Sequence, residues 1–162
     1  MNITQERLKE LLGYDPLTGI FIWKVSGYRL KIGRIAGGFH STGYWGIMLD
    51  GKPYQAHRLA WLYIYGMWPI GVIDHRDHDK ANNRIDNLRD VTKSINSQNT
   101  IHARKNNSLG MLGASFHKEN GKYKAQIQID GKKKHLGYFN TPIEAHAAYL
   151  GAKRELHPGC TI

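Results

Sequence analysis

The chain has 162 residues, is 41% hydrophobic, and carries a formal net charge of +10 with a pI of about 9.7. That is enough apolar material for packed cores, which excludes wholesale disorder, and the basic excess suits a polyanion whose phosphates lysine and arginine neutralise. The single cysteine, Cys160, excludes an internal disulfide framework and a thiolate zinc site, and no run approaches the ~18 apolar residues of a membrane span.

Thr4 is a suitable N-cap for a short helix carrying Leu8, Leu11 and Leu12 at helical spacing. Asp15-Pro16-Leu17-Thr18-Gly19 is turn chemistry and Ile20–Trp23 a strand. The glycine-rich piece from Gly33 to Gly38 lacks phosphate-loop spacing and reads as a turn or bulge. Asp50-Gly51, flanked by two extended segments, predicts a hairpin. Residues 56–65 fit a mostly buried helix in which His57 is structural; Gly66 to Pro69 ends it.

Residues 72–75 read as a short strand, followed by a polar loop to about Asn87 and a second extended piece at Leu88–Val91. Thr92 is positioned to cap a helix running from Lys93 to about His102. Residues 98–108 are polar, basic and apolar-poor, which reads as a linker between domains at 1–97 and 109–162. Three strands follow at 113–117, 123–130 and 133–139, joined by Glu119-Asn120-Gly121 and Asp130-Gly131. Thr141-Pro142 opens an alanine-rich helix that ends at His157-Pro158-Gly159. The fold class expected is α+β.

The stretch from Asp74 to Asn96 concentrates the chemistry. Asp74 and Asn96 are hard oxygen donors of the kind Mg²⁺ or Mn²⁺ prefers, and a neutral imidazole at His75 can act as a general base. Adjacent strand residues point to opposite faces, so a site shared by Asp74 and His75 requires the chain to leave strand geometry at His75. The Asn87 amide lies where it can fix the loop. The asparagine-rich loop by itself would read as turn-forming polypeptide; His78 and His102 read as solvated.

Asp74-His75, Asn82-Asn83-Arg84, Asn87-Leu88-Arg89 and Asn96 together resemble the HNH endonuclease family, with eleven residues between His75 and Asn87 and eight between Asn87 and Asn96. The group most similar is the phage-type homing endonucleases, in which the final histidine is replaced by asparagine. The resemblance implies a β-β-α metal fold with His75 as general base and Asn87 as the loop-fixing asparagine. Asp74 and Asn96 would hold one divalent ion, Mg²⁺ or Mn²⁺. Residues 1–7 lack the apolar core of a signal peptide, and the expected setting is the bacterial or phage-infected cytoplasm.

Residues 108–159 resemble the plant Apetala/ethylene-response-factor DNA-binding domain through Gly113, residues 122–127, residues 135–139 and residues 144–149. Alternation in the second strand puts Ala125, Ile127 and Ile129 on one face and Lys124, Gln126 and Gln128 on the other. The expected architecture is a three-stranded antiparallel sheet on one helix. The resemblance places the DNA-facing positions at Ser115, His117, Gln126, Gln128, Lys133 and His135, and Lys124 shares the polar face. The family's usual arginines and tryptophans are largely absent here, so its target sequence does not carry over. Residues 101–162 hold ten Lys/Arg against four Asp/Glu, which favours DNA over a merely solvated face.

The function expected is therefore a metal-dependent DNA endonuclease of the homing type, acting on double-stranded DNA as a monomer, without membrane or small-molecule cofactor. The alternatives are a non-catalytic sequence-specific regulator on the same scaffold, which the presence of Asp74, His75 and Asn96 disfavours, and a structural nucleic-acid protein such as an RNA chaperone.

Overall fold

The computed structural model describes residues 2–27, 31–103 and 107–161, and it divides into two compact units, 1–93 and 94–162.

In the first unit, α1 (Gln5–Leu11) starts where Thr4 Oγ1 accepts the Arg7 N–H at 3.2 Å. The chain then runs directly into β1 (Leu12–Asp15), which pairs antiparallel with β2 (Ile20–Trp23). Sequence reading places Leu12 at a helix end; in the structure it opens a strand that local propensity does not announce. β3 (Gly38–Phe39), β4 (Trp45–Leu49) and β5 (Lys52–Gln55) form a three-stranded meander. Its Asp50-Gly51 turn has φ of 47° and 76°, as a type I′ hairpin turn requires. Then α2 (Ala56–Tyr65) buries Ala56, His57, Leu59, Ala60 and Leu62, and ends on left-handed Gly66. Leu8, Leu12, Phe21, Ile47, Leu49, Leu59 and Leu88 belong to one apolar core.

Against that core lies a two-stranded antiparallel ribbon, β6 (Val72–His75) and β7 (Leu88–Val91), with Asp74 opposite Arg89 and His75 opposite Leu88. A 3-10 turn at Ile85–Asn87 leads into β7, and α3 (Lys93–Gln98) follows it in the chain. The strand–strand–helix order along the sequence is the one expected, although α3 is shorter than its polar continuation suggests.

In the second unit, β8 (Ala114–His117), β9 (Lys122–Ile129) and β10 (Lys132–Phe139) form an antiparallel sheet in the order β10-β9-β8. α4 (Pro142–Leu156) packs on it, opened by a full capping box between Thr141 and Glu144. Small side chains permit the close approach: Ala114, Ala125 and Ala145 are buried together, with Leu136 and Phe139 against them.

The polar residues read as a linker brace this unit. Asn99 is 3% exposed and accepts from Thr161 Oγ1 at 2.6 Å, Thr100 O accepts from the buried Lys153 Nζ, and Asn107 Nδ2 donates to Met111 O and Ala114 O. The unit boundary falls between Lys93 and Ser94 rather than at residues 98–108, because buried amides can hold a chain segment that apolar content does not mark. Within that segment, residues 104–106 lie outside the described residues.

Candidate active site

The β6–β7 ribbon places its charged pair by register. Asp74 and Arg89 are cross-strand partners, and both Nε and Nη2 of Arg89 reach Asp74 Oδ2 at 2.7 Å. The two side chains are only 8% and 17% exposed, so this is a nearly buried charge-assisted contact rather than a surface ion pair. The neighbouring acid, Asp90, accepts the backbone N–H groups of Ile70 and Gly71, each at 2.8 Å, and so ties the start of β6 to β7.

His75 closes the ribbon. β6 ends at His75, as the sequence reading requires, although His75 still pairs with Leu88 and Arg76 N–H donates to Asn87 O at 2.9 Å. The chain reverses just beyond, where His78 N–H donates to His75 O and His78 takes φ of 65°. Strand alternation therefore carries Asp74 and His75 to opposite faces of the ribbon. Asp74 meets Arg89, whereas the His75 ring meets His57 edge-on at 5.1 Å and Tyr44 at 6.0 Å.

Burial governs the imidazoles. His75 is 5% exposed, and loss of solvent pushes its pKa below the ordinary histidine value. The Asn83 amide and the carboxylates of Asp77, Asp74 and Asp79 pull the other way without reversing the shift. His57 is pushed further, to about 3, first by burial and then by the nearby His75 and Arg58. Both rings are neutral at neutral pH, the form in which a ring nitrogen can accept a proton.

The loop between the strands is held by one side chain. Asn87 is 6% exposed; its Oδ1 accepts from Asp77 N–H at 3.1 Å, while Nδ2 donates to Asp77 Oδ1 and Asn82 O, each at 2.9 Å. Asn82 Nδ2 donates to the other Asp77 oxygen, so one carboxylate collects both loop arms. Burial alone would raise the Asp77 pKa, but the Asn82 and Asn87 amides and the Asp79 N–H outweigh it and hold the group below the usual carboxylate value. From outside the loop, Tyr14 Oη donates to Asn83 O at 2.7 Å. Gly19, at φ of 73°, lies so close that a Cβ there would meet the Asn83–Arg84 backbone at 2.5 Å.

Of the two predicted catalytic residues and two predicted metal ligands, the first unit brings His75, Asn87 and Asp74 to one end of one ribbon. Asn96 is an exposed residue of α3 and belongs to the second unit. Sequence reading misses Arg89 on Asp74 and the Tyr44–His57 wall around His75. The first follows from counting hairpin register backward from Asn87; the second has no local signal, since Tyr44 comes from the β3–β4 connection.

In the second unit, register pairs Ser115 with Lys124, His117 with Lys122, Gln126 with His135, and Gln128 with Lys133. Cross-strand partners share a face, so all seven predicted DNA-facing residues lie on the side opposite Ala114, Ala125 and Ile127. A bulge between His135 and Gly137 turns Tyr138 onto the same side, where its ring sits 4.6 Å from His135 and 5.2 Å from His117. Alternation alone does not foresee that aromatic group, because the bulge resets the alternation. Gln128 is partly committed: its Nε2 donates to Gly131 O across the turn.

The sequence model of the HNH endonuclease family matches residues 54–98, which span α2, the ribbon, its loop and α3. The DNA endonuclease I-HmuI of Bacillus phage SP01 is 35% identical over 127 residues, a match covering 75% of this chain and 69% of that protein. Protein 3.8 of Escherichia phage T7 is 32% identical over 107 residues, covering 65% of this chain and 87% of that protein. A solved structure of DNA binding and cleavage by the HNH homing endonuclease I-HmuI is 29% identical with a TM-score of 0.43, covering 76% of this chain and 70% of that one. With its family signature falling on the Asp74–His75 ribbon and its Asn87 clasp, this chain belongs to the HNH endonuclease family.

Proposed function

We propose that this DNA endonuclease cuts double-stranded DNA as a homing endonuclease, with His75 as general base and with its second unit holding the target. The supporting observation is a neutral, buried imidazole at the end of β6, one residue past a carboxylate that already carries a cation. His75 draws a proton from water at a ring nitrogen, and the resulting hydroxide attacks phosphorus. Tyr44 and His57 restrict the ring, which keeps the accepting nitrogen in a fixed direction.

HNH nucleases generally depend on a divalent ion. When bound, that ion supplies charge to the phosphate and to the departing 3′ oxygen. Asp74 would hold it, and the family resemblance names Asn96 as a further oxygen donor. Carboxylate and amide oxygens are hard donors, the kind an ion such as Mg²⁺ or Mn²⁺ prefers. The donor chemistry fits: Asp74 Oδ2 is held by a guanidinium at 2.7 Å, so the position tolerates positive charge.

The outer face of the second unit is the DNA-holding surface. Gln126 and Gln128 suit adenine edges, Lys124 and Lys133 suit guanine edges or phosphates, and Ser115, His117 and His135 complete the row. This reading treats the unit as an Apetala/ethylene-response-factor-like module acting as a monomer.

The test is cleavage of supercoiled plasmid bearing candidate targets by wild type and His75→Ala, each with Mg²⁺, Mn²⁺ or EDTA. Cutting is expected only with metal and only with His75; cutting by His75→Ala at the wild-type rate, or cutting in EDTA, overturns the mechanism.

A further inference from the structure

We propose that Arg89 is an internal counter-ion that occupies the cation position on Asp74 and, when a divalent ion takes that carboxylate, moves to a phosphate of the bound DNA. The inference rests on Asp74 being a metal ligand, as argued above.

A carboxylate only 8% exposed is stable as an anion only with a compensating charge, and Arg89 supplies it through two N–H groups on one oxygen. A divalent ion seeking that oxygen meets the guanidinium there. Two cations on the same Oδ2 repel strongly, so an ion taking that oxygen favours release of the guanidinium. The nearby acids are already engaged: both oxygens of Asp90 accept backbone N–H groups, and both oxygens of Asp77 accept from Asn82, Asn87 or Asp79. The anion that a nuclease site does bring is phosphate, and a planar guanidinium matches it with two parallel donors.

The exchange couples two ligands. DNA that draws Arg89 away leaves Asp74 to the metal, and metal on Asp74 leaves Arg89 to DNA; linkage requires the two effects to be equal. The metal-free, DNA-free protein is thereby kept from loading an ion, which restrains cutting until substrate is in place. Arg89 acts as a positioning residue through Asp74.

The experiment uses the full chain in a His75→Ala background, so that duplex survives, and titrates Mn²⁺ by calorimetry with and without a short random-sequence duplex at low salt. The parent is expected to bind Mn²⁺ weakly alone and about tenfold more tightly with duplex. Arg89→Gln is expected to bind Mn²⁺ alone about tenfold more tightly than the parent, with less than about twofold further gain from duplex. Arg89→Lys, which keeps the charge but loses the paired donors, falls between them and decides the question if Arg89→Gln does not fold by circular dichroism. Mn²⁺ affinity unchanged or weakened in a folded Arg89 variant overturns the exchange. Asp74→Asn separates the premise: if it binds Mn²⁺ like the parent, Asp74 is not a ligand and the mechanism itself fails; if it loses Mn²⁺ while the Arg89 variants are unchanged, only the exchange fails.

Discussion

Asn87→Ala removes the clasp of the loop without touching any group proposed to react. The side chain makes three hydrogen bonds at 6% exposure, one of them to a carboxylate oxygen. A neutral hydrogen bond contributes roughly 1 kcal/mol net and one to a charged group roughly 1.5–3 kcal/mol. Asp77 is exposed, so water replaces part of what is lost, and the expected cost is about 2–4 kcal/mol of first-unit stability. All four tryptophans, Trp23, Trp45, Trp61 and Trp68, lie in that unit, so urea unfolding followed by tryptophan fluorescence reads it selectively. Asn87→Asp is the sharper variant: it keeps the acceptor for Asp77 N–H but sets a carboxylate against the Asp77 carboxylate, and should cost at least as much. Both should lose plasmid cutting. If Asn87→Ala unfolds within about 0.5 kcal/mol of wild type while cutting collapses, Asn87 acts on substrate and the clasp reasoning is wrong.

Four further outcomes are expected. His57 has a folded pKa of about 3 against about 6.5 unfolded, so the unfolded chain binds the extra proton and stability present above pH 6.5 is lost as pH falls toward 3. At pH 5 the loss should be about 2 kcal/mol, and His57→Phe should flatten that slope in the fluorescence assay. Lys153 is 1% exposed, and burial holds its pKa below the ordinary lysine value. The charged form is thus the strained one, so stability of the second unit should rise as pH climbs through the lowered pKa toward 10.5, and Lys153→Met should abolish that rise in thermal melts followed by circular dichroism. Gly19→Ala should cost more than about 2 kcal/mol, read by urea unfolding, because the added carbon meets loop backbone in a left-handed conformation. Gln126→Ala should cost about 1–3 kcal/mol in binding to the correct target, whereas Lys133→Ala should weaken all duplexes alike and reduce the salt slope; equal effects of both on random DNA would discount base reading by this face.

Much of the architecture was legible because local chemistry agreed with the global fold. Asp50-Gly51 and Asp130-Gly131 take the positive φ that such turns demand, and Thr141-Pro142 opens α4 with the capping expected of it. The strand faces of β9 follow from alternation, so the polar row could be named from sequence. Asp74, His75 and Asn87 were named through the motif spacing of the family they resemble, and the structure brings them to one end of one ribbon. What escaped was carried by long-range geometry. β1 forms because Ile20–Trp23 lies beside it, Tyr44 reaches His75 from 31 residues away in the chain, and the Asn99 and Asn107 braces use polar atoms where a hydrophobicity argument looks for carbon.

The contact between Gly19 and the Asn83–Arg84 backbone has a consequence for where this chain can change length. The turn after β1 and the loop after β6 are pressed together, with the Tyr14 hydroxyl as a rivet, so adding a residue to one displaces the other. The hairpin tip at Gly121 has nothing within 4 Å of an added carbon. Insertions, tags and fused domains are accommodated at that tip and excluded from the β1–β2 turn, which is silent in chemistry yet fixed in size.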